Sequence, residues 1–238
     1  MTLAMTVHEA ALQKSFSDPA SVARYADGPR NFVPGLEAMH RMTGLLLAEH
    51  APADARILVL GAGGGSEISA LARAYPGWRF VGVDPAAEML RLAERTIGAD
   101  MNRVELVEGL IDAAPAGPYD GAICLLTLHF LVAGERERTL RALRERLRPG
   151  APLITAHLSF PQAPGAKERW LDRYAAYALS SGMPPESVAA SRSAVAAGLN
   201  CTTPEQDEAV LAAAGFDEVE LFYAGLAWRG WVARAPGA

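Results

Sequence analysis

Arg56-Ile-Leu-Val-Leu-Gly-Ala-Gly-Gly-Gly-Ser66 is an apolar run that passes directly into glycines at 61, 63, 64 and 65, with a helix-like stretch behind them. Glycine lets the backbone turn sharply and lets a ligand come close to the chain. The helix that follows presents free N–H groups at its start. The next apolar run, Arg79-Phe-Val-Gly-Val-Asp84, ends on an acid. That acid lies roughly 20 residues on, the distance at which a carboxylate after the second strand reaches the ribose hydroxyls of a nucleoside seated at the first. Glycine turn and distant acid together mark a nucleoside-cofactor site. An ordinary glycine-rich strand–helix turn is the plainer alternative.

Gly61, Gly63 and Gly65 give the spacing G-x-G-x-G. The dinucleotide fingerprint G-x-G-x-x-G needs a glycine where Ser66 stands, which weakens a nicotinamide or flavin reading. A phosphate loop needs Gly-Lys, and the only lysines, Lys14 and Lys167, follow Gln13 and Ala166. A nicotinamide oxidoreductase also lacks its Tyr-x-x-x-Lys pair here.

Outward from this segment the chain alternates. RILVL, RFVGV, VELVE, GAICLL and PLITAHL are the expected strands, and SEISALARAY, AAEMLRLAERTI and ERERTLRALRERL the helices between them. This alternation predicts an α/β fold, a doubly wound and mainly parallel sheet. Runs such as RILVL and GAICLL are apolar throughout, as strands covered on both faces are. Thr203-Pro204-Glu205-Gln206 opens a further helix, with threonine as cap, proline first and glutamine third. That helix is expected to stop at Ala214, with Gly215 as its terminal glycine. DEVELFY and AWRGWVARA, joined through Gly225, then form an antiparallel pair.

ILVLGAGGGSEISALA followed by FVGVDPAAEML resembles the opening of a class I S-adenosylmethionine-dependent methyltransferase. The resemblance covers residues 55 to 160 and returns in the last two strands. It implies a seven-stranded, mainly parallel sheet closed by a C-terminal antiparallel hairpin. It also implies S-adenosyl-L-methionine as cofactor and S-adenosyl-L-homocysteine as product. By resemblance, Gly61, Ala62 and Gly63 pass beneath the methionine part, and Asp84 accepts from the ribose hydroxyls. Pro85 and Met89 flank the adenine, Gly109, Leu110 and Ile111 meet its edge, and Leu125 lies beside the methionine moiety. Two departures stand out. Val59 occupies a position where the family usually carries an acid, and so does Leu110, with Asp112 as the nearest replacement.

Residues 1–54 are expected to form an N-terminal helical lid. Residues 55–238 form the methyltransferase domain, with a helical cover inserted at about 161–202. These are the two places where the family builds its substrate cover. Methyl transfer mainly requires that the nucleophile be positioned, because the sulfonium already carries its leaving group. A base is needed only where the acceptor must lose a proton, and His129, just past the fourth strand, is the candidate. Tyr25 and Arg30 are the candidate substrate-binding residues in the lid. Arg30 before Val33-Pro34-Gly35 is similar to the carboxy-S-adenosylmethionine synthase branch of the family, and there it would grip a carboxylate.

Composition narrows the partners. The chain has 238 residues, enough for one domain, and half are hydrophobic, enough for a large core. The formal net charge of −5 and the absence of a basic block argue against nucleic acid. The arginines from 136 to 148 are balanced by Glu135, Glu137 and Glu145 and read as a solvated helix face. Cys124 and Cys201 have neither metal-ligand spacing nor a disulfide partner pattern, and no metal is expected. The N-terminus lacks a signal-peptide pattern, and no apolar run is long enough to span a bilayer. The expectation is a cytoplasmic enzyme acting on a small-molecule acceptor, free of membrane, with a homodimer open as its assembly. Its rivals are an enzyme using a modified S-adenosylmethionine and a non-catalytic cofactor-binding or partner subunit.

Overall fold

RILVL, GAICL and PLITAHL are buried along nearly their whole length between two layers of helices. The computed structural model describes Val22 and residues 28–237. In chain order the elements are α1 (Gly28–Phe32), α2 (Leu36–Ala48), β1 (Arg56–Leu60), α3 (Ser66–Ala74), β2 (Arg79–Asp84) and α4 (Ala87–Ile97). Then come β3 (Val104–Glu108), β4 (Gly121–Leu125), α5 (Ala133–Arg144), β5 (Pro152–Leu158), α6 (Ala166–Ser180) and α7 (Pro185–Gly198). The chain closes with α8 (Pro204–Ala213), β6 (Asp217–Gly225) and β7 (Trp228–Arg234).

The seven strands form one sheet in the order β3-β2-β1-β4-β5-β7-β6. β1 to β5 run parallel, while β7 is antiparallel to both β5 and β6. The expected parallel sheet and terminal hairpin are both present. Strand order reverses between β1 and β4, so a crevice opens above their C-terminal ends, where such sheets bind ligands.

One face of the sheet carries Ile57, Val59, Ile123 and Ile154 under Met39 and Leu47 of α2 and Ile68 and Leu71 of α3. The other carries Leu58, Val81, Ala122, Leu153 and Trp231 under Leu140 and Leu143 of α5 and Leu211 of α8. Each fully buried Val, Leu, Ile or Met among them contributes about 1.5–3 kcal/mol. Met39 and Leu47 have no exposure at all, so α2 belongs to the sheet's own core.

α8 begins as its residues dictate. Thr203 Oγ1 accepts from the Gln206 N–H at 3.3 Å, and Gln206 Oε1 accepts from the Thr203 N–H at 3.0 Å. Gly215 follows the helix with a positive φ of 86°. The arginine-rich α5 differs from expectation at one residue. Arg136 is only 2% exposed, because it stands one turn before Leu140 and shares that helix face. Its charge is met by Asp207 of α8 at 2.6 Å.

Candidate active site

The loop after β1 and the end of β2 are locked together by backbone bonds. The Gly61 and Ala62 N–H groups donate to the Val83 carbonyl at 2.8 and 3.1 Å. The Gly63 N–H donates to Asp84 Oδ2 and the Ala86 N–H to Asp84 Oδ1, each at 2.9 Å. The Asp84 carbonyl in turn accepts from the Gly109 N–H at 3.0 Å. Both carboxylate oxygens are therefore aimed by the backbone, and each keeps a lone pair for a further donor. Burial pushes the Asp84 carboxyl above its ordinary range, against the two N–H bonds that pull it down.

Two of the glycines are required where they stand. Gly61 has φ 74°, and a Cβ there would fall 2.0 Å from Thr127 Oγ1. Gly65 has φ 75°, and a Cβ there would meet the Ala93 Cβ at 2.9 Å, so this glycine lets α3 lie against α4.

The structure gathers the remaining expected cofactor residues around the same ends of β1 to β4. Met89 is buried, with its Cε close to Gly63, while Pro85 is exposed on the crevice rim. Leu110 is 55% exposed beside buried Ile111, and Leu125 ends β4. The residue after it, Leu126, has φ 56° and donates its N–H to the Ala156 carbonyl at 2.6 Å. A leucine held in left-handed backbone is strained, and such strain concentrates at working sites. Asp112 does not fill the position of Leu110. Its carboxylate is exposed and bridges to Arg138 of α5 at 3.0 Å.

His129 is buried, 3% exposed, in the turn after β4. Its Nδ1 accepts from the Leu158 N–H at 3.3 Å, and its ring meets the edge of Trp228 at 5.7 Å. Burial, with His157 and Arg136 nearby, holds its pKa well below the ordinary histidine value. The imidazole therefore stays neutral with its proton on Nε2. In proton NMR its Cε1–H shift is expected to stay flat from about pH 5 to 8. A midpoint near the ordinary histidine pKa would overturn that assignment.

Arg30 is engaged by Glu37 at 2.8 Å, with both side chains mostly exposed. Tyr25 lies outside the described residues. The segment around Arg30 is nevertheless tied over the sheet's C-terminal end. Phe32 stacks on Tyr174 at 5.1 Å, the Trp228 Nε1–H donates to the Phe32 carbonyl at 2.8 Å, and the Tyr223 hydroxyl donates to the Pro34 carbonyl at 2.5 Å. α1, α6 and the β6–β7 hairpin thus meet in one roof.

Sequence reasoning passes over Glu67 and Asp207. Glu67 is 7% exposed in the first turn of α3, and Asp207 is 1% exposed in the first turn of α8. An acid in a first helical turn is commonplace, so neither carried a signal of burial.

A family model described as a methyltransferase domain matches residues 58–153. A carboxy-S-adenosyl-L-methionine synthase of Pseudomonas fluorescens strain Pf0-1 is 30% identical over 206 residues, covering 82% of each chain. That of Chromohalobacter salexigens is 28% identical over 212 residues, covering 87% of this chain and 78% of the relative. A solved O-methyltransferase family protein from Burkholderia thailandensis superposes with a TM-score of 0.68 at 16% identity. The superposition takes in 94% of this chain but only 62% of that protein.

Proposed function

Because the chain belongs to the class I S-adenosylmethionine-dependent methyltransferase family, we propose that it binds that cofactor above β1 and β2 and serves a small acceptor held under the roof. The observation that carries this reading is Asp84, whose two oxygens are fixed by the Gly63 and Ala86 N–H groups and remain partly open to the crevice. An ionised acceptor so placed takes the two ribose hydroxyls as charge-assisted bonds. Pro85 and Leu110 offer apolar surface on the rim for the adenine, and Gly61 to Gly63 line the methionine arm.

The cofactor supplies a sulfonium methyl whose C–S electrons pass to sulfur as the acceptor's lone pair bonds to carbon. The protein's part is to bring that acceptor into line and to keep water out. α1, α6 and α7 form the cover in this reading, since α2 is committed to the core. His129, neutral and held by the Leu158 N–H, supports the floor below Trp228 and removes no proton from the acceptor.

A second reading follows from the curated relatives, which are carboxy-S-adenosyl-L-methionine synthases. Here the sulfonium methyl would lose a proton and its carbon would bond to the carbon dioxide released by a carboxylic-acid co-substrate from the extract, so the product would be a carboxylated S-adenosylmethionine. The two readings separate by mass spectrometry of the purified protein incubated with S-adenosylmethionine and a small-molecule cell extract. S-Adenosylhomocysteine together with a methylated small molecule supports the first. Carboxy-S-adenosylmethionine selects the second. Unchanged S-adenosylmethionine contradicts both.

A further inference from the structure

Among the described residues, three acids are buried, and two of them have a cation at hand. Asp120 is bridged by Arg148 at 2.8 Å and Asp207 by Arg136 at 2.6 Å. Glu67 has none: its side chain receives the Ser66 hydroxyl at 3.3 Å and is otherwise met by its own backbone N–H. The titratable groups close enough to act on it are Asp84 at the end of β2 and Cys124 of β4, both acids. Burial pushes the Glu67 carboxyl up to about 7, the bonds from its own N–H and from Ser66 oppose this, and the Asp84 charge adds to it. Burying a carboxylate with no cation is costly, and proteins seldom carry such a cost without a use.

Its location points to the use. α3 starts directly after the glycine loop that leaves the C-terminal end of β1, so its first turn stands at the ligand-binding edge of such a sheet. Glu67 stands one turn before the buried Leu71 and shares the sheet-facing side of α3. The two groups it acts on end β2 and lie in β4, the strands flanking β1. Val59, where the family usually carries an acid, is fully buried among apolar side chains.

We propose that Glu67 replaces the acid lost at Val59 and receives the α-ammonium group of the cofactor's amino-acid arm. This rests on the cofactor reading above and adds the residue that recognises one end of the ligand. A cation at Glu67 lowers its pKa, so binding near neutral pH favours the ionised carboxylate and releases a proton.

The test titrates wild type, Asp84→Ala and Glu67→Gln with S-adenosylhomocysteine, S-adenosylmethionine and 5′-methylthioadenosine, which has no ammonium group. Glu67→Gln is expected to weaken both amino-acid-bearing ligands about 10–100-fold and to leave 5′-methylthioadenosine unchanged. In wild type the affinity for S-adenosylhomocysteine rises as pH passes through about 7, and the variant loses that rise. The ligand-free protein offers a separate readout. A raised carboxyl favours the folded state only while protonated, so its contribution is lost as pH rises from the unfolded value through about 7. Ligand-free Glu67→Gln should therefore melt about 5 °C above wild type near pH 8, with the gap closing toward pH 5.

Wild-type affinity for S-adenosylhomocysteine in Glu67→Gln overturns the proposal. So does an equal loss of 5′-methylthioadenosine, or a loss confined to S-adenosylmethionine, which would assign the carboxylate to the sulfonium. Failure of all three ligands to bind wild type sinks the cofactor reading itself. Should the glutamine variant not fold, Glu67→Asp is judged by the same ligands, its shorter carboxylate weakening only the two that carry an ammonium.

Discussion

Asp84→Ala is expected to lose S-adenosylhomocysteine binding by about 100-fold or more. Two charge-assisted bonds to ribose are each worth about 1.5–3 kcal/mol, and 1.4 kcal/mol is tenfold in affinity. The alanine also orphans the Gly63 and Ala86 N–H groups that now end on the carboxylate. The glycine loop would lose its tie to β2, so part of the loss is geometric. Asp84→Asn separates the two effects. Its amide oxygen still accepts one N–H but carries no charge, so binding falls by about tenfold while the loop keeps part of its anchor. Calorimetric titration of the three proteins reads both numbers. Affinity within threefold of wild type in Asp84→Ala would remove Asp84 from the site.

The largest effect on stability is expected at Arg136. Its guanidinium donates to Asp207 Oδ1 at 2.6 Å, to the Thr202 hydroxyl and to the Asn200 carbonyl at 2.6 Å. Burial pushes the Asp207 carboxyl up, but contacts from His157, Ser159 and Thr202 outweigh it and leave its pKa below the ordinary value. Removing one partner of such a pair strands the other charge, at about 3–5 kcal/mol. Arg136→Ala should therefore lower the melting temperature by roughly 10 °C for a chain of this size. Replacing both charges, as Arg136→Met with Asp207→Leu, should recover only part of the loss, because the desolvation cost goes with the pair while the Thr202 hydroxyl, the Asn200 carbonyl and His157 each lose a partner. A melting temperature for Arg136→Ala within about 2 °C of wild type would show that the pair contributes little.

That cluster also bears on the site. The Asn200 N–H donates to the His129 carbonyl at 2.8 Å, and its side-chain amide donates to the Phe130 carbonyl at 3.2 Å. Arg136, through the Asn200 carbonyl, thus fastens the segment after α7 to the loop after β4.

The fold and the glycine loop were legible because their signals are local. Strand runs, the glycines at 61, 63 and 65, Asp84 and the Thr203–Gln206 cap each follow from residues a few positions apart. The parallel sheet and its hairpin followed from the order of those runs. What the sequence hid depends on distant partners. Arg136 looks like one more surface arginine until Asp207 of α8 is seen beside it. Arg30 and Asp112 look free until Glu37 and Arg138 engage them. Glu67 reads as an ordinary first-turn acid, and only burial against the ends of β2 and β4 sets it apart. The sequence order puts His129 in the turn after β4. Which of its nitrogens meets the Leu158 N–H is a fact of tertiary packing.

The most direct measurement is a crystal structure of the protein grown with S-adenosylhomocysteine. The expected result is a ligand above β1 and β2, with both ribose hydroxyls on the Asp84 carboxylate and the adenine between Pro85 and Leu110. A ligand bound elsewhere, or one whose ribose does not touch Asp84, would contradict the cofactor site derived from the glycine loop.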